Sequence, residues 1–249
     1  MRILTILTIL TALNVPSTVR AQAKNNELIE PVTFQGRHYI ACKFNPKRYL
    51  VEMFNRNDRG DVYTFQSLLA RKSHTLIFAM NAGMYEKDLS PVGLFVSEGK
   101  TIKPINLAAN LPGNFYQLKP NGIFILDDQN IAHIITSESY ASIPYHVKLA
   151  TQSGPMLLID GAINNNFSQR STNINIRNAI GVDNQGNAVF IISTDKVNFY
   201  ELAQLFKERY NCSNALYMDG FVSQYYAPGL QAHATEPIPL GTFITISHR

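Results

Sequence analysis

Residues 179–193 read Ala-Ile-Gly-Val-Asp-Asn-Gln-Gly-Asn-Ala-Val-Phe-Ile-Ile-Ser. Two short apolar runs, Ala179 to Val182 and Ala188 to Ser193, flank Asp183-Asn184-Gln185-Gly186, which is the pattern of a β-hairpin. Directly downstream the period changes. Phe199, Leu202, Leu205, Phe206 and Tyr210 make one apolar stripe at helical spacing over 199–210. Asn198 can cap this helix with Glu201 three positions on, and Asn211 tolerates the left-handed conformation that ends one. A buried-strand run, Ala215 to Met218, follows and ends at Asp219-Gly220.

The same grammar continues upstream. Glu98-Gly99 and Asp127 to Asn130 each separate two β-type runs, and Asn45-Pro46 breaks the stretch from Ile40 to Phe54. His74 to Met80 is an apolar strand ending in Asn81-Ala82-Gly83, and residues 62–72 have helical spacing. Many antiparallel pairs with a few helices predict an α+β fold with mixed, mainly antiparallel β-sheets. No linker divides residues 24–249, which read as a single domain.

Residues 1–23 are read as a cleavable signal peptide. Arg2 precedes an apolar run from Ile3 to Leu13, Pro16 ends it, and Ala21-Gln22-Ala23 offers the small-x-small cleavage pattern. The run is too short for a transmembrane anchor, which needs about 20 residues. The mature product is therefore expected to be exported, periplasmic or secreted, with no integral membrane segment. Cleavage lowers the formal charge from +4 to +2, and the remaining Lys and Arg are scattered, which argues against nucleic acid. Cys42 and Cys212 are the only cysteines, and an oxidising compartment makes them a disulfide candidate.

No phosphate loop, dinucleotide fingerprint, nucleophile elbow or zinc spacing occurs, so no cofactor is required. Acid pairs such as Glu86 and Asp88 offer oxygen ligands to a divalent cation. The informative feature is small polar residues at strand ends: Asn81 and Gly83, Asn121 and Gly122, Ser153 and Gly154, Arg177 and Asn178, Asp219 and Gly220 leading to Ser223. Singly these are ordinary turn residues. Together they predict one polar site.

These stretches (Phe78 to Tyr85, Pro91 to Leu94, Lys119 to Phe124, Thr151 to Gly161, Arg177 to Gly181 and Ala215 to Ser223) resemble the phosphodiester glycosidase family, in a bacterial exported branch. The resemblance implies a sugar-phosphate or envelope glycan substrate. Lysosomal-type members carry Asp-Gly-Gly-Gly-Ser where this chain has Asp219-Gly220-Phe221-Val222-Ser223, so the sugar pocket is expected to differ. The chemistry would be glycosidic C–O cleavage of a sugar-1-phosphodiester, whose leaving phosphomonoester is a stable anion. Such a site needs a cation on the phosphate and a carboxylate facing the oxocarbenium-like carbon. Arg177 is the candidate clamp and Asp219 the candidate carboxylate. Asn81, Gly83, Asn121, Gly122, Ser153, Gly154, Asn178, Gly220 and Ser223 would bind substrate, with Glu86, Asp88, Glu138 or Asp160 as a second carboxylate. A non-catalytic envelope glycan-binding protein on the same scaffold is the alternative, favoured by Phe221 and Val222.

Overall fold

The computed structural model describes residues 28–249 except 58, 73, 145, 220–222, 229 and 231–237. The segment read as a signal peptide and Gly220 lie outside the described residues. In chain order the elements begin with β1 (Ile29–Phe34), β2 (Arg37–Phe44), β3 (Tyr49–Phe54), α1 (Phe65–Lys72), β4 (Leu76–Asn81), β5 (Phe95–Ser97), β6 (Lys100–Lys103) and the one-turn α2 (Asn114–Gln117). Next come β7 (Gly122–Asp127), β8 (Ala132–Thr136), a 3-10 turn (Ser137–Ser142), β9 (Val147–Ser153), β10 (Met156–Ile159) and β11 (Ala162–Ile163). The chain ends with β12 (Asn178–Asp183), β13 (Ala188–Ser193), α3 (Phe199–Gln204), β14 (Cys212–Tyr217), β15 (Tyr225–Tyr226) and β16 (Phe243–His248).

Three antiparallel sheets result, ordered β1-β2-β13-β12-β14-β10-β11, β15-β4-β16-β3 and β6-β5-β9-β7-β8. The hairpin at 179–193 is the centre of the seven-stranded sheet. Alternation along it decides the layers. Phe190 and Ile192 face a core shared with Phe78 and Ile244 of the second sheet and Phe124 and Leu149 of the third. Val189 and Ile191 face the opposite side, under Phe199, Leu202 and Phe206. The fold is thus mainly antiparallel β with a few short helices on its outer faces.

Helix α3 begins as the sequence requires. Asn198 Oδ1 accepts from Glu201 N at 2.9 Å, and Glu201 Oε2 accepts from Asn198 N at 2.8 Å. It is shorter than its stripe implies, because residues 205–209 widen into a π turn before Asn211 adopts φ +52. Asn198 Nδ2 also donates to Gln169 O and Ser171 O. Asn198→Ala therefore removes a cap and two loop contacts, and should cost about 2 kcal/mol in urea unfolding. The upstream helix starts at Phe65 rather than 62. Val62 is drawn into a β-bridge with Arg56, while Thr64 and Ser67 exchange bonds in a cap.

The disulfide expectation is corrected. Both cysteines are free and buried. Cys42 on β2 and Cys212 on β14 are separated by β13 and β12, and their thiols belong to the cores on opposite faces of the sheet. Three strand spacings at about 4.8 Å each far exceed disulfide reach. Burial pushes the Cys212 thiol up to about 12 and raises Cys42 as well, so neither is a reactive thiolate.

Candidate active site

The ends of β4, β12 and β14 meet where the first sheet faces the second. Asn81 is the last residue of β4 and Asn178 the first of β12, and both are fully buried. Asn178 Nδ2 donates to Asn81 O and Asn81 Oδ1, both at 2.9 Å. Asn178 Oδ1 accepts from Asp219 N at 2.7 Å, fixing the backbone that carries the carboxylate. Asn81 Oδ1 also accepts from Gln224 N at 2.9 Å, while its Nδ2 reaches Asp219 Oδ2 at 3.5 Å. Two buried carboxamides thus hold both Asp219 and Gln224, and satisfied buried polar groups of this kind specify one geometry.

Asp219 lines a cavity of about 350 Å³, together with Met84, Tyr85, Glu86, Phe115 and Tyr116 among others. Burial and the Asp219 charge push the Tyr85 hydroxyl up to about 12, so it keeps its proton well into the alkaline range. The ring of Tyr85 lies directly on Gly241, where any Cβ would collide with its Cβ and Cγ. Gly241→Ala should therefore displace Tyr85 and raise KM at least about threefold, with a smaller effect on kcat.

Other expected residues support this arrangement from behind. Ser153 Oγ is buried and donates to Met218 O at 2.7 Å, bracing the strand before Asp219. Ser223 Oγ donates to Asp219 O at 3.1 Å. A Cβ at Gly83 would strike Thr151 Oγ1 and Gln152 O, one at Gly154 the Asn121 carboxamide, and one at Gly122 Met156 and Leu216. These glycines allow close packing of β-strand ends rather than exposing backbone to a ligand. Asn121 is fully buried and does not line the cavity.

Arg177 departs furthest from expectation. The residue is 1% exposed and does not line the cavity, so it does not clamp a phosphate there. Nε donates to Val197 O at 2.9 Å, and Nη2 donates to Asn173 O and Oδ1 at 2.9 and 3.0 Å. The group stacks 3.8 Å from the Phe199 ring centroid and 5.3 Å from that of Tyr217. Burial raises the Tyr217 hydroxyl above the ordinary phenol range, with the Arg177 charge opposing that shift and the Asp219 charge adding to it. Arg-Asn at a strand start reads equally as clamp or anchor in sequence; the anchor is what forms.

Of the four candidate second carboxylates, Glu86 shares the Asp219 cavity. Asp88 is exposed and accepts from Ser90 Oγ, Asp160 is exposed in the β10–β11 turn, and Glu138 rides on the 3-10 turn. Among the described residues no three His, Cys, Asp or Glu side chains group as metal ligands. The aromatic wall was not found from the sequence. Its only signal was Phe115-Tyr116 following Pro112-Gly113.

A carboxylate held by buried carboxamides in a cavity that also holds aromatic rings and a phenol has the groups to bind a sugar and to act as nucleophile or base at its anomeric carbon. Residues 74–241 match the family model for phosphodiester glycosidase. The uncharacterized Escherichia coli K12 protein YigE is 31% identical over 212 residues, covering 84% of this chain and 82% of YigE. The zebrafish N-acetylglucosamine-1-phosphodiester alpha-N-acetylglucosaminidase catalytic domain, auto-inhibited by its pro-peptide, shares the fold. Its TM-score is 0.61 at 15% identity, covering 89% of this chain and 82% of that one. A hypothetical protein from Synechocystis follows at TM-score 0.51 and 15% identity, covering 89% and 61%. By its sequence match over 74–241 and its likeness to YigE, this chain belongs to the phosphodiester glycosidase family.

Proposed function

We propose that this protein is an exported hydrolase that cleaves the glycosidic C–O bond of a sugar-1-phosphodiester, with residues 24–249 acting as one functional unit. The observation carrying this reading is Asp219, fixed by Asn81 and Asn178 and opening on a cavity with a second carboxylate and three aromatic rings. Asp219 faces the anomeric carbon, Glu86 assists the water or leaving group, and Tyr85 donates to a sugar oxygen. Little acid help is needed, since the departing phosphomonoester has a second pKa of about 6. The apolar rings suit the face of a sugar, while the cavity walls carry no arginine or lysine among the described residues. The phosphate is therefore oriented toward the cavity mouth.

Turnover of synthetic sugar-1-phosphodiesters in ¹⁸O-labelled water tests the reaction type. Label is expected in the anomeric hydroxyl of the released sugar. Label in the phosphate would make the protein a phosphodiesterase. Saturable sugar binding without turnover across the panel would leave a glycan-binding protein on this scaffold.

A further inference from the structure

The connection between β11 and β12, residues 164–177, is fourteen residues long and contains no regular element. Loops beyond about 12–15 residues in a compact fold are usually functional or disordered. This one is neither loose nor short of anchors. Asn164, 5% exposed, donates through Nδ2 to Met156 O at 2.9 Å and Lys119 O at 3.2 Å. Asn198, 4% exposed, donates to Gln169 O and Ser171 O, and the buried Arg177 holds Asn173 by two bonds. Three buried polar side chains, one of them charged, are spent on shaping a surface loop. Burying them is costly unless they are fully bonded, and a shorter connection would not need them.

What the loop shapes is a second cavity of about 210 Å³, between it and the start of α3. Asn166, Ser168, Asn173 and Tyr200 supply amides and hydroxyls, and Phe167, stacked on Phe199 at 5.1 Å, supplies an apolar wall. No charged side chain lines it among the described residues. Phosphate would need a cation there. A pyranose fits instead: its hydroxyls match groups that both donate and accept, and its C–H face packs on an aromatic ring. The position matters as well. Leu118 lines this cavity while Pro112, Gly113, Phe115 and Tyr116, just before it in the chain, line the Asp219 cavity, so one segment contributes to both.

We propose that this second cavity binds a neutral saccharide, the alcohol half of the diester, beside the Asp219 cleft. Its assignment to the alcohol half rests on the hydrolase reading above, whereas its preference for a neutral sugar does not.

The mature chain, isotopically labelled for NMR, is titrated with methyl α-glucoside, methyl α-mannoside and N-acetylglucosamine, with inorganic phosphate as the control. Saturable shifts at Asn166, Ser168 and Tyr200 are expected for at least one sugar and not for phosphate. Tyr200→Phe, which removes one hydroxyl from a partly buried ring and keeps its shape, should weaken that binding about fivefold, the loss of one hydroxyl bond. It should raise KM for a diester whose alcohol is that sugar and leave KM for the methyl diester unchanged. No sugar-dependent shift at these residues, or the same shifts with phosphate, overturns the proposal. Absent turnover of the methyl diester with the sugar shifts intact sinks the hydrolase reading and leaves the saccharide site standing.

Discussion

Asp219→Asn is expected to lower kcat/KM on a sugar-1-phosphodiester by about 10³-fold or more, close to 4 kcal/mol of transition-state stabilisation. The substitution keeps shape and volume. Asn81 Nδ2 can still donate to the remaining oxygen, and Asp219 N still donates to Asn178 Oδ1. What disappears is the negative charge opposite a carbon that becomes cationic, together with the nucleophilic or basic oxygen. The Asn81 contact is long at 3.5 Å, so little folding energy rests on it. The melting temperature should move by no more than about 2 °C, within the effect of a fraction of a kcal/mol. A large drop in melting temperature with proportionate loss of activity would make Asp219 a structural turn residue. Unchanged kcat/KM would remove it from the chemistry. Asn178→Asp offers a graded comparison, since it removes the Nδ2 donor to Asn81 and places a second carboxylate behind Asp219. Its effect should fall on kcat rather than KM, because the cavity wall itself is untouched.

Much of the frame was legible in the sequence because its causes are local. The hairpin at 179–193 is set by Asp183, whose Oδ1 accepts from Gln185 N and Asn187 N, and by Gly186 at φ +79. The cap on α3 is likewise a four-residue event. The convergence of Asn81, Asn178 and Asp219 was readable as a pattern of polar strand ends, though three sheet positions distant in sequence had to meet for it to become a site. The failures have a different origin. Whether Arg177 faces solvent depends on Phe199, Tyr217 and Asn173, none of which is adjacent to it in sequence. The cysteines could be judged only once β13 and β12 were known to lie between them. Glu86 was separable from Asp88, Glu138 and Asp160 only by which side chain shares a cavity with Asp219. Gln152 lies in one of the polar strand-end stretches, but its role depends on partners far away in sequence. It accepts from Leu94 N and Asn106 N and donates to Asn106 O and Ser137 Oγ, tying down the segment that leads to the aromatic wall.

Phe190→Ala carries the largest expected effect on stability, about 3–5 kcal/mol. Its ring contacts one ring from each sheet: Phe44 at 5.2 Å in its own, Phe78 at 6.5 Å in the four-stranded sheet and Phe124 at 5.9 Å in the five-stranded sheet. All three neighbours are essentially inaccessible, so the space left cannot fill with water and closes only if sheets move. For a chain of this size the loss corresponds to a melting temperature roughly 10 °C lower. Phe190→Leu, which restores most of the volume, should recover all but about 1.5 kcal/mol. Because Phe78 lies on β4, which ends in Asn81, and Phe190 on β13, whose partner strand β12 begins at Asn178, this packing also holds together the strands that carry the two carboxamides. Activity and the cooperative unfolding transition should therefore be lost together on heating. Two separate transitions, or a loss below about 1 kcal/mol, would mean that the sheets are stabilised independently and that Phe190 does not join them.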